Sequence, residues 1–276
     1  MLVILSPAKN MHRVPTPPPA TRPMFLQQTE TLAASMKRYA PFQLESVLKV
    51  NPQLALRAFT DIQDWNASIP GSPALLSYHG FAYSALDATT LSREDLTFAQ
   101  DTLRILSAFY GVLRPLDNIL PHRLDFESSF RCCGKTMYEF WGSMLHDAVF
   151  QAGAPVINLS SAEYSKAVSR YLRAQDVFIT CDFLEFKHGK WCMPATHAKM
   201  ARGKMARFIV KNRLTAPEQL SLFEEDGYCF SPELSTSSRY VFSRSQSACK
   251  ANRHYSAKAT RCESTWLLLR FLMDRL

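Results

Sequence analysis

The sequence predicts a mixed α/β fold of the α+β type, built as a single compact domain around a mixed sheet. Three observations predict it. Short, continuously apolar strand patterns alternate with helical patterns through the first two-thirds of the chain. A β-hairpin pattern follows at 177–193 and makes part of the sheet antiparallel. No internal repeat and no clean linker divides residues 1–244, so we expect one domain there and a basic extension, partly disordered, over 245–276.

Each predicted element has a local signal. Apolar runs predict buried strands at 1–5, 74–78 and 156–159, and five prolines between Pro15 and Pro23 predict an extended loop. Helical patterns cover 24–39, 43–58, 92–109, 160–172 and 197–213. Capping boxes at Ser92-x-x-Asp95 and Ser160-x-x-Glu163 mark the starts of two of these helices. Gly189 supplies the turn of the hairpin.

Composition excludes several classes of protein. Of 276 residues, 47% are hydrophobic and 20% charged, which is typical of a soluble globular protein. The apolar runs fall short of the roughly 18–20 residues that span a bilayer, and the N-terminus lacks the parts of a secretory signal, so we expect a cytoplasmic protein. Seven cysteines without framework spacing indicate reduced thiols, and adjacent cysteines such as Cys132 and Cys133 very rarely bridge.

Neither a metal nor a cofactor is expected from the sequence. The hairpin region has four residues of types that bind metals, but their spacing gives no CxxC or HxxxH pair. They are Cys181, His188, Cys192 and His197. The chain also contains no GxSxG, Walker loop, GxGxxG or HExxH motif. A catalytic mechanism therefore cannot be assigned from motifs.

Positive charge is concentrated in two segments. The net charge is +8, and no acidic residue occurs between Phe186 and Pro217, a stretch that contains eight cations. Residues 239–276 add eight cations against two acidic residues, which leaves the rest of the chain net acidic. Segregated charge of this kind predicts a polyanionic partner.

The helix predicted at 197–213 carries most of this charge. Its apolar residues form one stripe, with basic residues on both flanks and Gly203 nearly opposite, where a glycine is useful if another backbone or a ligand comes close. A solvated face would normally interleave acidic i,i+4 partners, and none is present. The alternative remains an ordinary solvated helix. The predicted phosphate contacts are Lys199, Arg202, Lys204, Arg207 and Lys211.

A second candidate for phosphate contact lies at 103–117. A Tyr110-Gly111 turn followed by Arg114-Pro115 fits a helix-turn-helix hairpin that aims backbone N–H groups at phosphate. It fits equally a plain αα-corner with Gly111 as the C-cap. The sequence leaves both interpretations open.

Polar residues that follow the predicted strands define a third candidate, an anion pocket. They are Lys9, Asn158 and Ser160, with His79 after the second strand, Lys166 one turn into the following helix and Arg123 as a second anion clamp. If the strands pair in parallel, these groups converge on one rim of the sheet.

Seven collinear blocks between Met1 and about Arg244 resemble the YaaA family of peroxide-stress proteins. They are Ser6-Pro-Ala-Lys9, Leu103-Arg-x-Leu-Ser107, Tyr110-Gly-Val-Leu-Arg-Pro-Leu-Asp117, Arg123-Leu124, Tyr138-x-Phe-Trp-Gly142, Ile157-Asn-Leu-x-Ser161 with Glu163-Tyr164, and Ala201-Arg-Gly-x-Met-x-Arg-Phe-Ile209. The chain departs from the family pattern at Ala108, where a glycine is usual, at 79–83 and 124–127, and in continuing beyond Arg244.

The resemblance implies a cytosolic protein of mixed α/β fold that limits peroxide damage by holding down free intracellular iron. It also implies a DNA-binding protein with a basic cleft and a helix-hairpin-helix-like element, without an established catalytic activity. Carried over to this chain, Tyr110, Gly111 and Arg114 belong to the hairpin element, and Lys9, Arg202 and Arg207 to the cleft.

Two functional hypotheses follow. The first is a stress protein, non-enzymatic or weakly enzymatic, that binds single- or double-stranded DNA with little dependence on sequence. The rival is an enzyme that acts on a phosphorylated small molecule or nucleotide at the rim formed by Lys9, Asn158, Ser160 and Lys166. Direct iron sequestration has little support, because the His and Cys residues show no ligand spacing.

Overall fold

A mixed β-sheet forms the centre of the protein. A computed structural model describes residues 1–14 and 21–244, and within them the sheet has the strand order β11-β12-β9-β8-β1-β5-β6, with β10 paired to β9. The strands of the sheet are β1 (Leu2–Leu5), β5 (Leu103–Ser107), β6 (Gly111–Leu113), β8 (Val156–Asn158), β9 (Phe178–Lys187), β10 (Lys190–Cys192), β11 (Cys229–Phe230) and β12 (Arg239–Arg244). The short strands β2 (Asn10–Met11) and β4 (Tyr78–His79) pair with each other, as do β3 (Ser72–Pro73) and β7 (Asn118–Ile119).

The pairing confirms the predicted mixed sheet. Strand β1 runs parallel to β5 and β8, β8 to β9, and β9 to β12, whereas β5–β6, β9–β10 and β11–β12 are antiparallel. Every residue of β1 and β8 is buried, which explains their continuous apolar sequences. The predicted strands at 1–5 and 156–159 and the hairpin at 177–193 are therefore confirmed, with Gly189 at a φ of 77° in the turn.

Helices surround the sheet. They are α1 (Leu26–Met36), α2 (Pro41–Leu48), α3 (Pro52–Gln63), α4 (Ala74–Ser77), α5 (Phe81–Leu86), α6 (Arg93–Thr102), α7 (Met137–Trp141), α8 (Met144–Phe150), α9 (Ala162–Ser169) and α10 (Ala195–Lys211). Short 3-10 turns lie at Ala88–Thr90, Pro217–Leu222 and Pro232–Leu234. One connected hydrophobic core joins the sheet and these helices, as expected for a single domain. No helix in the described part of the chain is long and apolar enough to cross a bilayer.

The helix predicted at 43–58 is two helices. Lys49 ends α2 in the left-handed conformation, with a φ of 53°. The side chain of Asn51 accepts a hydrogen bond from the backbone N–H of Leu54, so it caps α3, and Pro52 occupies the first turn of that helix. The Asn51-Pro52 pair therefore marks the start of a second helix. The apolar residues keep a helical spacing on both sides of this pair, so the sequence pattern does not show where one helix ends and the next begins.

The helix predicted at 92–109 is correct only in its first half. The capping box is present, because Ser92 and Asp95 exchange hydrogen bonds of 3.1 Å. The chain then leaves the helix and forms β5 from Leu103 onward. The run from 103 to 107 is apolar enough for either element, and pairing beside β1 decides for the strand.

The predicted helical hairpin at 103–117 is consequently wrong in this chain: the segment is the β-hairpin β5–β6. Gly111 has a φ of 77°, and a Cβ there would meet the rings of Phe25 and Trp141 within 2.8 Å. The hydroxyl of Tyr110 is buried and accepts hydrogen bonds from the indole of Trp65 and the backbone N–H of Leu120. The Arg114 guanidinium lies 3.5 Å from the Asp117 carboxylate.

Two further predictions are corrected. The apolar run at 74–78 forms the short helix α4 after Pro73, and only Tyr78 and His79 are extended. The capping box predicted at Ser160-x-x-Glu163 does not form, because the N-cap of α9 is Ser161 and the Ser160 hydroxyl donates to Asn158 instead. The proline-rich loop in its part 15–20 and the extension 245–276 lie outside the described residues.

Helix α10 packs against α5 through its glycine. A Cβ at Gly203 would lie 1.9 Å from the carbonyl oxygen of Ala82, so the two helix backbones touch at this point. Of the two uses of a glycine at position 203, close approach of another backbone or of a ligand, the structure shows the first. Arg207 strengthens the contact by donating to the carbonyls of Leu86 and Asp87 at the end of α5.

Candidate anion-binding site at the sheet edge

The carboxyl ends of β1 and β8 are joined by a pair of serines. The backbone N–H of Ser161 donates to the hydroxyl of Ser6 at 2.8 Å, and the two hydroxyls lie 3.3 Å apart. The hydroxyl of Tyr83, on α5, donates to the Ser6 carbonyl at 2.9 Å. These contacts hold the loop after β1 against α9 and α5, and they fix where Lys9 leaves the sheet.

Lys9 forms an ion pair on this edge. Its Nζ lies 3.3 Å from the Asp125 carboxylate, while its side chain stays 65% exposed. Asp125 also accepts a hydrogen bond from the Tyr164 hydroxyl at 2.9 Å. Burial raises the pKa of Tyr164, and the charges of Asp125 and Glu163 raise it further. Tyr164 is therefore a neutral donor that orients Asp125.

Lys166 lies on the same helix as Tyr164. Its ammonium group lies over the ring of Tyr138, 5.1 Å from the centroid, and the Tyr138 hydroxyl donates to the backbone carbonyl of Glu163. Burial raises the pKa of the Glu163 carboxyl, with Asp125 and Glu127 acting in the same direction and Lys9 against them. Lys166 thus lies beside the acidic side of the rim.

His122 forms the floor beside Lys9. Its Nδ1 lies 2.9 Å from the Leu120 carbonyl, which can only accept, so Nδ1 carries the proton and Nε2 faces the Tyr78 hydroxyl at 3.5 Å. The ring stacks on Phe109 at 5.0 Å. Burial lowers the pKa of His122 to about 4 and raises the pKa of Tyr78. At neutral pH both side chains are uncharged.

A recess opens to solvent above His122. Lys9, Arg57 of α3 and Arg123 line it, together with Asn10 and Asp61. Nε of Arg123 is buried and has no hydrogen-bond partner among the described residues. A buried donor without a partner costs free energy, and the Arg123 side chain as a whole makes no hydrogen bond or ion pair with a described residue.

Cations and carboxylates both lie around this recess. Burial raises the pKa of Asp61, Arg57 and Arg13 oppose that effect, and Asp64 adds to it. Lys9 is paired with Asp125 at 3.3 Å and Arg57 with Asp61 at 3.9 Å. Of the three cations Lys9, Arg57 and Arg123, only Arg123 makes no ion pair with a described carboxylate, so its charge is the one left for an anion.

The structure brings together only part of the predicted pocket. Lys9 and Arg123 share the recess, but Asn158 and Ser160 are buried and bonded to each other. The Asn158 side-chain oxygen accepts from the backbone N–H and the hydroxyl of Ser160, and its amide donates to Thr180. These two residues hold the edge of the sheet. His79 is exposed on β4 and packs against His12, with 4.6 Å between ring centroids.

The cations of α10 have partners from elsewhere in the chain. Lys204 lies 2.5 Å from Asp226, and Lys211 and Arg213 each lie 2.8 Å from the Asp95 carboxylate. Hydrogen bonds from Lys211 and Ser92 lower the pKa of Asp95 to about 2.

Arg202 and Lys199 differ from their neighbours on the helix. Burial lowers the pKa of Arg202, opposed by the charge of Asp182, and Nε of Arg202 has no hydrogen-bond partner among the described residues. Lys199 is exposed, and its side chain makes no hydrogen bond or ion pair with any described residue. Of the five predicted phosphate contacts, Lys199 is thus the one whose charge faces only solvent.

Sequence reasoning did not select several residues of this edge as site residues. Asp125, Tyr164, His122 and Tyr78 lie within or next to recognisable blocks, but no spacing rule indicates that they meet. Arg57 comes from a helix 48 positions after Lys9 in the chain. Only the tertiary fold brings it to the recess.

Comparison with known proteins shows the protein family to which this chain belongs. The profile described as "Peroxide stress protein YaaA" matches residues 1–234. A UPF0246 protein of Dechloromonas aromatica is 39% identical over 262 residues, covering 90% of this chain and 100% of the relative. UPF0246 proteins of Acaryochloris marina and Clostridioides difficile are 37% and 34% identical, each covering 88% of this chain. The chain belongs to the YaaA family of peroxide stress proteins.

The carboxylates of this edge do not form a metal-binding cluster among the described residues. Among residues 1–14 and 21–244, no group of three or more His, Cys, Asp and Glu side chains is arranged to hold a metal ion. The acidic groups of the rim are instead occupied by tyrosine, lysine and backbone donors.

Proposed function

We propose that this peroxide stress protein acts in the cytoplasm by binding DNA, with little dependence on sequence, through phosphate contacts anchored at the recess between Lys9, Arg57 and Arg123. The proposal includes the link to limiting free intracellular iron that the family resemblance implies. The single observation that carries the proposal is the buried, unpartnered Nε of Arg123 beside two further cations from separate parts of the chain.

The physical argument concerns phosphate. A phosphodiester oxygen can accept from Arg123 and, at the same time, neutralise Lys9 and Arg57, and each neutralised phosphate releases counterions. Because these contacts reach only the backbone of the nucleic acid, they carry little sequence information. Lys199 adds an exposed charge on α10, whereas Lys204, Arg207 and Lys211 act mainly by holding α10 to its neighbours.

Fluorescence-anisotropy titration of short single- and double-stranded DNA at several salt concentrations tests the proposal. The double variant Arg57→Ala with Arg123→Ala should weaken binding of all sequences alike and reduce the log-log salt slope by about 2. The matched control is Arg38→Ala, which removes an exposed cation next to α1 whose side chain makes no hydrogen bond or ion pair with a described residue. An unchanged slope in the double variant, or the same loss in the control, would refute the assignment.

A second candidate function uses the same edge. The neutral imidazole of His122 and the neutral phenol of Tyr78 lie beside the recess cations, an arrangement that suits proton transfer on a phosphorylated small molecule or nucleotide. Lys9 and Arg123 would bind the phosphate of such a substrate. Phosphorus NMR of nucleotides incubated with the protein and with its His122→Asn variant tests this function. The enzyme is favoured if the wild type turns over a nucleotide, the variant does not, and the wild type does not bind DNA.

A further inference from the structure

The two adjacent cysteines lie on a tight turn between β-bridge partners. Cys132 and Lys135 exchange two backbone hydrogen bonds of 3.0 Å. The residues between them, Cys133 and Gly134, have φ angles of 51° and 78°. Two consecutive left-handed residues make a tight hairpin turn of the primed type. The turn places a non-glycine residue in a conformation that is uncommon for it.

The two thiols differ in their access to solvent. Cys133 is exposed, whereas Cys132 is buried. Burial raises the pKa of Cys132, and the neighbouring Cys133 raises it further. A small oxidant that arrives from solvent therefore meets Cys133 first, and the preceding residue carries a second, buried thiol.

The same turn carries positive charge. The Arg131 guanidinium donates to the carbonyl of Gly134 at 3.2 Å, and Lys135 closes the turn. Two cations therefore flank the turn that carries the exposed Cys133. Among the other cysteines that the structure describes, Cys181 and Cys229 are buried, and Cys192 is half-buried with its thiol donating to the Glu185 carbonyl.

We propose that Cys132 and Cys133 form a peroxide-oxidisable pair, in which a hydroperoxide oxidises Cys133 and Cys132 then closes a reversible disulfide with it. The inference rests on the turn and on membership of a peroxide stress family, and it does not depend on DNA binding.

The reaction balances in two steps. The Cys133 thiolate attacks one peroxide oxygen, the O–O bond breaks, and the sulfur becomes a sulfenic acid while the other oxygen leaves and is protonated to water or an alcohol. The Cys132 sulfur then attacks the sulfenic sulfur and loses its proton to the departing hydroxide, which leaves as water. Two thiols are oxidised to one disulfide, and one hydroperoxide is reduced.

Strain makes this disulfide easy to reverse. Neighbouring Cα atoms are about 3.8 Å apart, which is shorter than the roughly 4.4–6.8 Å that ordinary disulfides require. A strained disulfide has a more oxidising potential, so cellular thiols reduce it readily. Because adjacent cysteines rarely form a disulfide, we expect both thiols to be reduced in the absence of oxidant. The disulfide forms only when a hydroperoxide is present.

Trypsin provides a direct assay on the full chain. Cleavage after Arg131 and Lys135 releases the tetrapeptide Cys-Cys-Gly-Lys, which contains both thiols and no other cysteine. After substoichiometric hydrogen peroxide and alkylation of the remaining thiols, we expect this peptide to be two hydrogen atoms lighter and to take no alkyl group. A thiol reductant should restore it. In the Cys132→Ser variant, dimedone should label Cys133 as a trapped sulfenic acid.

Two controls make the test decisive. A synthetic Cys-Cys-Gly-Lys peptide has the sequence without the turn, and the folded protein should oxidise faster than it does. The Cys192→Ser variant removes a half-buried thiol elsewhere and should leave the result unchanged. Oxidation no faster than in the free peptide, or Cys133 driven to sulfonic acid without the loss of two hydrogens, would overturn the proposal.

Discussion

Replacing Gly203 by alanine tests the packing that supports the candidate site. In an exposed helix this change stabilises by about 1 kcal/mol, because alanine has the higher helix propensity. In this protein the added Cβ would lie 1.9 Å from the oxygen and 2.8 Å from the carbon of the Ala82 carbonyl. Real Cβ contacts stay beyond 3.0 Å, so α10 and α5 must separate by 1.1 Å, which is 3.0 minus 1.9.

The magnitude follows from the rigidity of both partners. The atoms that clash are backbone atoms, so no side-chain rotation relieves them. Overpacking of this kind costs about 1–3 kcal/mol, and the upper end applies to backbone. After subtraction of the propensity gain, we expect the Gly203→Ala variant to lose about 2 kcal/mol of unfolding free energy. For a protein of this length the melting temperature should fall by about 4–8 °C.

Urea unfolding followed by circular dichroism measures this loss. The matched control is Lys199→Ala, which places an alanine on the exposed face of the same helix and should change stability by less than about 0.5 kcal/mol. The shift should also reach the site, because α5 carries Tyr83, whose hydroxyl donates to the Ser6 carbonyl. A Gly203→Ala variant as stable as the wild type would refute the close contact of the two helices.

Three other outcomes follow from the structure. Burial alone raises the pKa of Glu185, but hydrogen bonds outweigh it and lower the pKa from 4.5 to about 2. Its stabilising effect is therefore complete above about pH 4.5 and lost as the pH falls towards 2, and the Glu185→Gln variant should lack this dependence in acid unfolding. Tyr110→Phe leaves two buried N–H donors without an acceptor and should cost about 2–4 kcal/mol in urea unfolding, against little for Tyr39→Phe, whose hydroxyl has no contact among the described residues. Lys211→Met weakens an ion pair with Asp95 and should lower stability by about 0.5–1 kcal/mol, while DNA affinity measured well below the melting temperature falls far less than in the recess variant.

The parts of the fold that sequence predicts well are those in which one signal acts alone. Strand β1, strand β8 and the hairpin turn at Gly189 each have an unambiguous pattern and were predicted correctly. The failures lie where an apolar run fits two elements. Leu103 continues a helical pattern, yet its pairing with Val3 makes it a strand, and that pairing is a tertiary contact across about 100 residues.

The sequence indicates only a few of the residues that meet at the candidate site. Lys9 could be selected as a candidate because it follows a strand at the edge where ligands gather in α/β proteins. Asn158 follows another strand on that edge, but its side chain turns back to Ser160 and Thr180. A polar residue at a strand end indicates only which edge of the sheet it lies on. Hydrogen bonds formed at that edge then decide which side chains remain free to bind a ligand.

The distribution of charge along the sequence also differs from the distribution of charge on the folded surface. The stretch without acidic residues, 186–217, obtains its carboxylates from outside itself, since Lys187 pairs with Glu185, Lys204 with Asp226, and Lys211 and Arg213 with Asp95. A segregated sequence therefore folds into an interleaved surface, in which the basic helix joins β9, α6 and the loop before β11. The charge left for a polyanion is found where cations outnumber their partners. Within this stretch the cations without a hydrogen bond or ion pair to a described residue include Lys190 and Lys199, and Arg123 in the recess is likewise unpaired, with a buried Nε that lacks an acceptor.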